Sequence, residues 1–296
     1  MNIGKFKIGG FYYSLLDVDD QTDYRNIAEA VVQHDSAVVL SGTQELERLA
    51  KVCSALRYDN PELSLYWNST ELSLSDDGLL KLVYTKDEKE ARLVVKKVRE
   101  IRREIMEKVM EEEEGDSPEE AAVGENEDEE TGRAEEAGKS SEAEECSGTN
   151  KNTEADPAEM MDGETAKVIR KTYSYLLHHV KYAADELKKP QPRPWIYNIE
   201  GAFLYGKAGC VGIALAMSYI CEALGIPCLL VTGRAKFANK GTNLCWNMVT
   251  LEDGQNYHID VTSQLVNKED EEAYLLLKDE EMKELGFEWG DIYPEA

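Results

Sequence analysis

The sequence has no apolar run long enough to cross a bilayer, for which about 18 consecutive apolar residues are needed, and no CxxC pair; only four of its 296 residues are histidine. The first absence excludes a spanning helix. The opening stretch, MNIGKFKIGGFYYSLLDVDD, also lacks a long apolar block with a small-residue cleavage site, so a cytoplasmic protein is expected. The six cysteines (53, 146, 210, 221, 228, 245) follow no framework spacing and should be free thiols in a reducing compartment. With so few histidines and no His/Cys ligand spacing, no metal site is expected, and no cofactor either. Positive charge is scarce: 33 Lys and Arg stand against 59 Asp and Glu, a net charge of −26. That balance argues against nucleic acid or an anionic membrane as partner.

The charge is concentrated. Residues 111–162 hold 21 Asp and Glu against 3 Lys and Arg and almost no large apolar side chain. Such a segment cannot bury enough surface to offset its ordering entropy, so a disordered linker or loop insertion is expected, with Cys146 exposed inside it. It separates an N-terminal mixed α/β domain (1–110) from a second domain (163–296). In the first, a strand near Phe11–Val18 leads to a helix near Asp23–Gln33. A strand at Ala37–Leu40 and a helix at Gln44–Leu56 follow. Two alternating runs, Ser64–Trp67 and Leu79–Tyr84, flank the turn signal SDDG. A long helix from about Asp87 to Met110 then carries Val94, Val98, Ile101, Ile105 and Val109 on one face. Its Lys and Arg read as a solvated face or as a docking patch for the acidic tract.

The second domain opens with a helix over about Gly163–Lys188, burying Ile169, Tyr173, Leu176 and Val180, and ends it in the proline-rich KKPQPRPW. An apolar helix spans about Cys210–Leu224 and stops at Gly225, with Pro227 beyond. Cys228–Thr232 reads as a strand, and Leu244–Leu251 and Asn256–Val261 as a hairpin. Asp270–Leu285 reads as one or two short acidic helices.

Cys210 is the candidate site. The first N–H groups of a helix lack internal partners and carry the positive end of its dipole, which favours a thiolate there. Gly209 and Gly212 leave room for close approach. Packing explains the residue as well, because Cys210, Ala214, Met217, Cys221 and Leu224 share one helical face. The local pattern leaves nucleophile and small hydrophobe both open.

The longer strings GKAGCVGIALAMSYICEALGIPCLLVTG and NLCWNMVTLEDGQNYHIDVTS resemble the core of the transglutaminase-like superfamily, related to papain-type cysteine peptidases. The resemblance runs over about 164–264. It is carried by Cys210, Gly212, Ala214, Leu224-Gly225-Ile226-Pro227, Val231, Gly233, Trp246-Asn247, Val249, Tyr257-His258 and Asp260-Val261-Thr262. Residues before it are similar, more loosely, to the N-terminal part of some bacterial members. The resemblance implies an α+β fold, a papain-like core whose central Cys-bearing helix packs on an antiparallel sheet. It also implies thiol chemistry on amides or acyl groups.

In that family a Cys attacks, a His moves the proton and an Asp orients the His. Cys210 falls on the nucleophile, Asp260 on the orienting acid and Leu244 on the histidine. Leucine moves no proton, so the resemblance implies a catalytically impaired member, a pseudoenzyme that binds a peptide or protein. The alternative is an active peptidase, deamidase or acyl transferase using Cys210 with another base. His258 is the rescue candidate, because strand alternation puts it on the face of Asp260 and, in an even register, of Leu244. A third reading gives the acidic segment the function and makes the folded part a scaffold. Cys245 should point to the opposite face from Leu244.

Overall fold

A computed structural model describes residues 6–111, 163–237, 240–267 and 270–296. The acidic segment beyond Glu111, with Cys146, lies outside the described residues. The chain order is α1 (Phe11–Ser14), α2 (Val18–Gln33), β1 (Ala37–Val38), α3 (Leu46–Asp59), β2 (Ser73–Leu74), β3 (Leu80–Lys81) and α4 (Glu88–Met110). After the acidic segment come α5 (Glu164–His179), β4 (Lys181–Tyr182), α6 (Ala184–Leu187), α7 (Ile199–Tyr205), β5 (Lys207–Ala208) and α8 (Cys210–Leu224). Then follow β6 (Cys228–Phe237), β7 (Lys240–Thr250), β8 (Asn256–Ile259), α9 (Val261–Val266), β9 (Leu275–Leu277), α10 (Asp279–Glu284) and β10 (Phe287–Trp289).

The mixture of helices and strands is that of an α+β protein. Its main sheet is five-stranded and antiparallel, in the order β10-β6-β7-β8-β9. Helix α8 packs on one face, against β6 and β7; α10 packs on β8 and β10. Helix α8 is buried over Gly212–Cys221. It ends where Gly225 turns left-handed (φ +74°) and the Ile226 amide donates to Cys221 O, a C-terminal motif that suits glycine.

The N-terminal helices share this core. Buried side chains of α2, α3 and α4 form one cluster with Leu215, Tyr219, Leu230, Val231 and Trp246. The far end of α4, through Ile105 and Val109, packs with α5 and the other side of α8. A half-exposed Arg99–Glu62 ion pair, the Tyr219 hydroxyl on Glu62 (2.6 Å) and Arg102 stacked 3.9 Å over the Tyr219 ring fasten α4 to α8. Of the other cations of α4, Arg92, Lys96 and Arg103 pair with Glu88, Glu100 and Glu107 of their own helix.

Several elements differ from those read off the sequence. The run Phe11–Val18 forms the one-turn helix α1 and the lead into α2 rather than a strand. Asp59 accepts the Tyr12 and Tyr13 amides at the start of α1, and Asp17 caps α2 by accepting the Asp20 amide. Ser64–Trp67 is not a strand run, because Pro61 opens a 3₁₀ turn over Pro61–Leu65. Of Leu79–Tyr84 only Leu80–Lys81 joins a ladder, apart from the isolated Trp67–Tyr84 bridge. The α5 helix stops at His179, short of Lys188. There the chain becomes extended and Lys181 and Ala183 donate to Gly206 O and Ala208 O, forming the β4–β5 pair. The C-terminal acidic stretch holds one helix and the strand β9. The long helix α4 and the Cys210–Leu224 helix fall within a residue of their expected limits.

Candidate functional site

Cys210 opens α8, with Gly209 as its N-cap, and is half-buried. The start of the helix is fixed by backbone contact. Gly209 N–H donates to Ile196 O at 2.8 Å, and a Cβ on Gly212 would lie 2.7 Å from Ile196 O and 2.9 Å from Asn198 O. Glycine at 212 therefore lets the helix seat against the 194–198 turn, which sets the position of the sulfur.

The face of β7 that meets α8 is settled by Asn247. Its buried amide donates to Ala214 O and to Ser218 Oγ, both at 3.0 Å. Strand alternation then puts Cys245 on the same face, two residues toward the start of α8. The Cys245 thiol is the neighbour of Cys210 across this interface. Its proximity, with burial opposing it, holds the Cys210 thiol below its ordinary pKa. The same proximity, followed by burial, raises Cys245 well above its own. The side chain facing the candidate nucleophile is thus a second thiol, and Leu244 is not that neighbour. Leu244 pairs with Gly233 and lies, like Trp246, on the opposite face; both are buried there.

His258 is also on that opposite face, since it pairs with Met248 in a register of even sum. The even register expected for Leu244 and His258 to share a face therefore holds, but the shared face is the one away from Cys210. His258 is fully buried. Its Nδ1 accepts the Trp246 indole N–H at 3.0 Å and its Nε2 donates to Asp279 Oδ1 at 2.9 Å. With an indole that only donates, Nδ1 must carry the lone pair, so the ring is neutral with its proton on Nε2. Burial lowers its pKa, against the pull of Asp279. Both nitrogens are engaged, and His258 is not placed to serve Cys210 as a rescue base. The other three histidines are no nearer in role. His34 stacks on Tyr84 at 3.9 Å, and the Nδ1 atoms of His178 and His179 bond carbonyl oxygens of their own helix. None of the four histidines hydrogen-bonds Cys210.

Asp260 is fully buried at the start of α9. Its Oδ1 accepts the Ser263 amide at 3.0 Å and its Oδ2 the Ser263 hydroxyl at 2.5 Å. It acts as a helix cap and bonds no imidazole. Burial pushes its pKa up to about 6, with the Ser263 bonds pulling down. Asp260 lies within electrostatic reach of Cys210, and Tyr182 on β4 is within reach of both. Burial, then the charges of Cys210 and Asp260, raise the Tyr182 hydroxyl.

The N-terminal helices bring further groups. Arg57 on α3 is buried, lies 5.2 Å over the Tyr58 ring and counters the rise of the Cys245 pKa. Tyr12 donates to Leu230 O on β6 and lies within electrostatic reach of Cys245. No group of three or more His, Cys, Asp or Glu among the described residues is arranged to hold a metal ion. None of the described helices is long and apolar enough to cross a membrane.

The sequence reading brings Cys210 and Asp260 to one neighbourhood but misses Cys245, Tyr182, Arg57 and Asp279. Cys245 was within reach of pattern reasoning. A polar residue in a buried strand must find partners, and Asn247 finds them on the helix carrying Cys210, which fixes the parity of Cys245.

Residues 155–261 match the family model of the transglutaminase-like superfamily, a span that includes Cys210, Cys245 and Asp260. Those residues carry a transglutaminase-like domain. Among solved structures it is similar to one described as a crystal structure of a TGase, at 15% identity and a TM-score of 0.30. That similarity covers 38% of this chain and 35% of the other, so it spans about a third of that protein's length. A comparison with curated proteins returned no match.

Proposed function

We propose that this transglutaminase-like domain is catalytically impaired and acts by binding a peptide or protein in a groove bordered by Tyr182, whose hydroxyl is within electrostatic reach of Cys210. The observation that carries the reading is the hydrogen-bond state of the histidines. Amide chemistry by a thiol needs a group that takes the proton of the sulfur and returns it to the leaving amine. The one imidazole on the sheet has both nitrogens committed on the far face. The residue beside Cys210 is Cys245, whose buried thiol holds its proton too tightly to replace imidazole near neutral pH.

A groove of about 680 Å³ supports the binding part of the proposal. It is lined by Tyr173, His178, Lys181, Tyr182, Gln264 and Leu265, among others. Tyr182 links it electrostatically to Cys210. Half of its lining is aliphatic or aromatic and half polar, with charges of both signs at Arg170, Lys181, Glu271 and Glu272, a mixture that can take the backbone and side chains of an extended peptide.

The test compares three chains. With glutamine-containing peptides, the natural chain is expected to give neither hydrolysis nor transamidation, although its Cys210 is alkylated by iodoacetamide at pH 7.5. Cys245→His puts an imidazole on the sulfur's side of β7 and should raise alkylation by roughly tenfold or more through a stabilised thiolate. Leu244→His should not. Turnover by the natural chain that disappears in Cys210→Ala would overturn the impaired reading in favour of an active thiol enzyme. Peptides selected on the full chain from a display library should lose at least about tenfold in affinity with Tyr182→Ala. Selected peptides indifferent to Tyr182 would remove the groove from the proposal.

A further inference from the structure

The structure assigns a second chemistry to the same strand and helix: we propose that Cys210 and Cys245 form a peroxide-responsive dithiol, Cys210 being the oxidised thiol and Cys245 the resolving one. The inference does not rest on the peptide-binding reading.

The geometry supplies the pair. Asn247 bonds Ala214 O. Cys245 lies two residues earlier on β7, on the same face, and Cys210 lies one helical turn earlier on α8. Cys245 is buried in the core cluster against which Cys210 packs, so the two side chains face each other across the β7–α8 interface. Both are free thiols. They differ in access and environment. Cys210 is half-buried and sits at a helix N-terminus, where unpaired amides favour the thiolate. Cys245 is buried, so it meets an oxidised Cys210 more readily than it meets solvent. A low-pKa, accessible thiol beside a second cysteine is the arrangement that a hydroperoxide oxidises selectively.

The steps balance. The Cys210 thiolate attacks the nearer peroxide oxygen, an S–O bond forms, and the O–O bond breaks. The displaced hydroxide or alkoxide takes a proton and leaves as water or alcohol. The sulfur is oxidised to sulfenic acid and the peroxide is reduced. Cys245 sulfur then attacks the sulfenic sulfur: the S–S bond forms, the S–O bond breaks, and the hydroxyl leaves as water with the Cys245 proton. A second thiol contact, Cys221–Cys228, is the natural comparison within the same chain. Neither of its members is at a helix N-terminus: Cys221 lies in the last turn of α8 and Cys228 begins β6.

The full chain, reduced and then treated with one equivalent of hydrogen peroxide, is read by thiol counting and by mass mapping of proteolytic fragments. Two of the six thiols should be lost, with one cross-linked fragment pair joining Cys210 to Cys245 and full recovery with dithiothreitol. In Cys245→Ser the cross-link should vanish and Cys210 should be trapped as a dimedone adduct. Cys221→Ser should leave the cross-link in place. The proposal is overturned if the first disulfide joins Cys221 to Cys228, or if Cys210 proceeds to sulfinic acid while Cys245 remains a free thiol. Circular dichroism of each variant separates a lost cross-link from a lost fold.

Discussion

On one face of β7 the indole of Trp246 donates to His258, and His258 donates onward to Asp279; on the other, Cys245 neighbours Cys210 and Asn247 donates to the backbone of α8. The first face is closed. Trp246 lies among Phe287, Trp289 and His258, and a Cβ on Gly233 would stand 2.5 Å from its ring. The second face opens, at Cys210, toward solvent. An imidazole is therefore used for architecture and a thiol pair for the site. The chemistry of a side chain is decided here by which way its residue points, more than by its nearness in sequence to the nucleophile.

Breaking the closed face should have the largest effect. Trp246→Ala removes a fully buried indole and unpairs His258, and is expected to cost about 3–5 kcal/mol in denaturant unfolding. A loss below about 1 kcal/mol would show that the face is not the packed element described.

Asp260 sharpens the other side. Its folded pKa of about 6 lies above the ordinary 3.8. Near pH 4 and below, the group is protonated in both states and the cost is absent. The cost grows as pH rises from 4 to 6 and is complete above 6, where it reaches on the order of 3 kcal/mol. Asp260→Asn keeps an oxygen for the Ser263 amide and removes the charge. Its stability relative to the natural chain should therefore improve between pH 4 and pH 7. A difference that stays constant over that range would remove the buried carboxylate from the account.

His258→Leu should have the smallest effect on stability, about 2 kcal/mol, from leaving the Trp246 N–H and Asp279 without their partner. Its more telling readout is the alkylation rate of Cys210, expected to stay within about twofold of the natural chain. A tenfold fall would mean that the imidazole does reach the sulfur, and the contrast between the faces would fail.

The helices were the most legible part of the fold. The α8 helix announces itself by an unbroken apolar run between glycines, and α4 by its period. The run Phe11–Val18 reads as a strand because its helix is only one turn long and depends on Asp59, 46 and 47 residues away, to hold the Tyr13 and Tyr12 amides. The end of α5 at His179 depends likewise on pairing with β5. At the site, Cys210 and Asp260 were legible by resemblance. The direction of Leu244 was not, because alternation fixes relative faces and only a long-range bond, Asn247 to Ala214, says which face meets the helix. The partner of His258 could not be read from the sequence, since Asp279 comes from a helix beyond the next strand.

Asn247 is thus a pin that holds the ladder in phase. Were β7 to advance by one residue against its neighbours, an isobutyl group would replace the thiol beside Cys210, and the indole would turn inward toward α8. An insertion or deletion upstream in the β6–β7 hairpin would then silence the dithiol while leaving every cysteine in the chain, so sequence variants of that hairpin are to be judged by their length as well as by their letters.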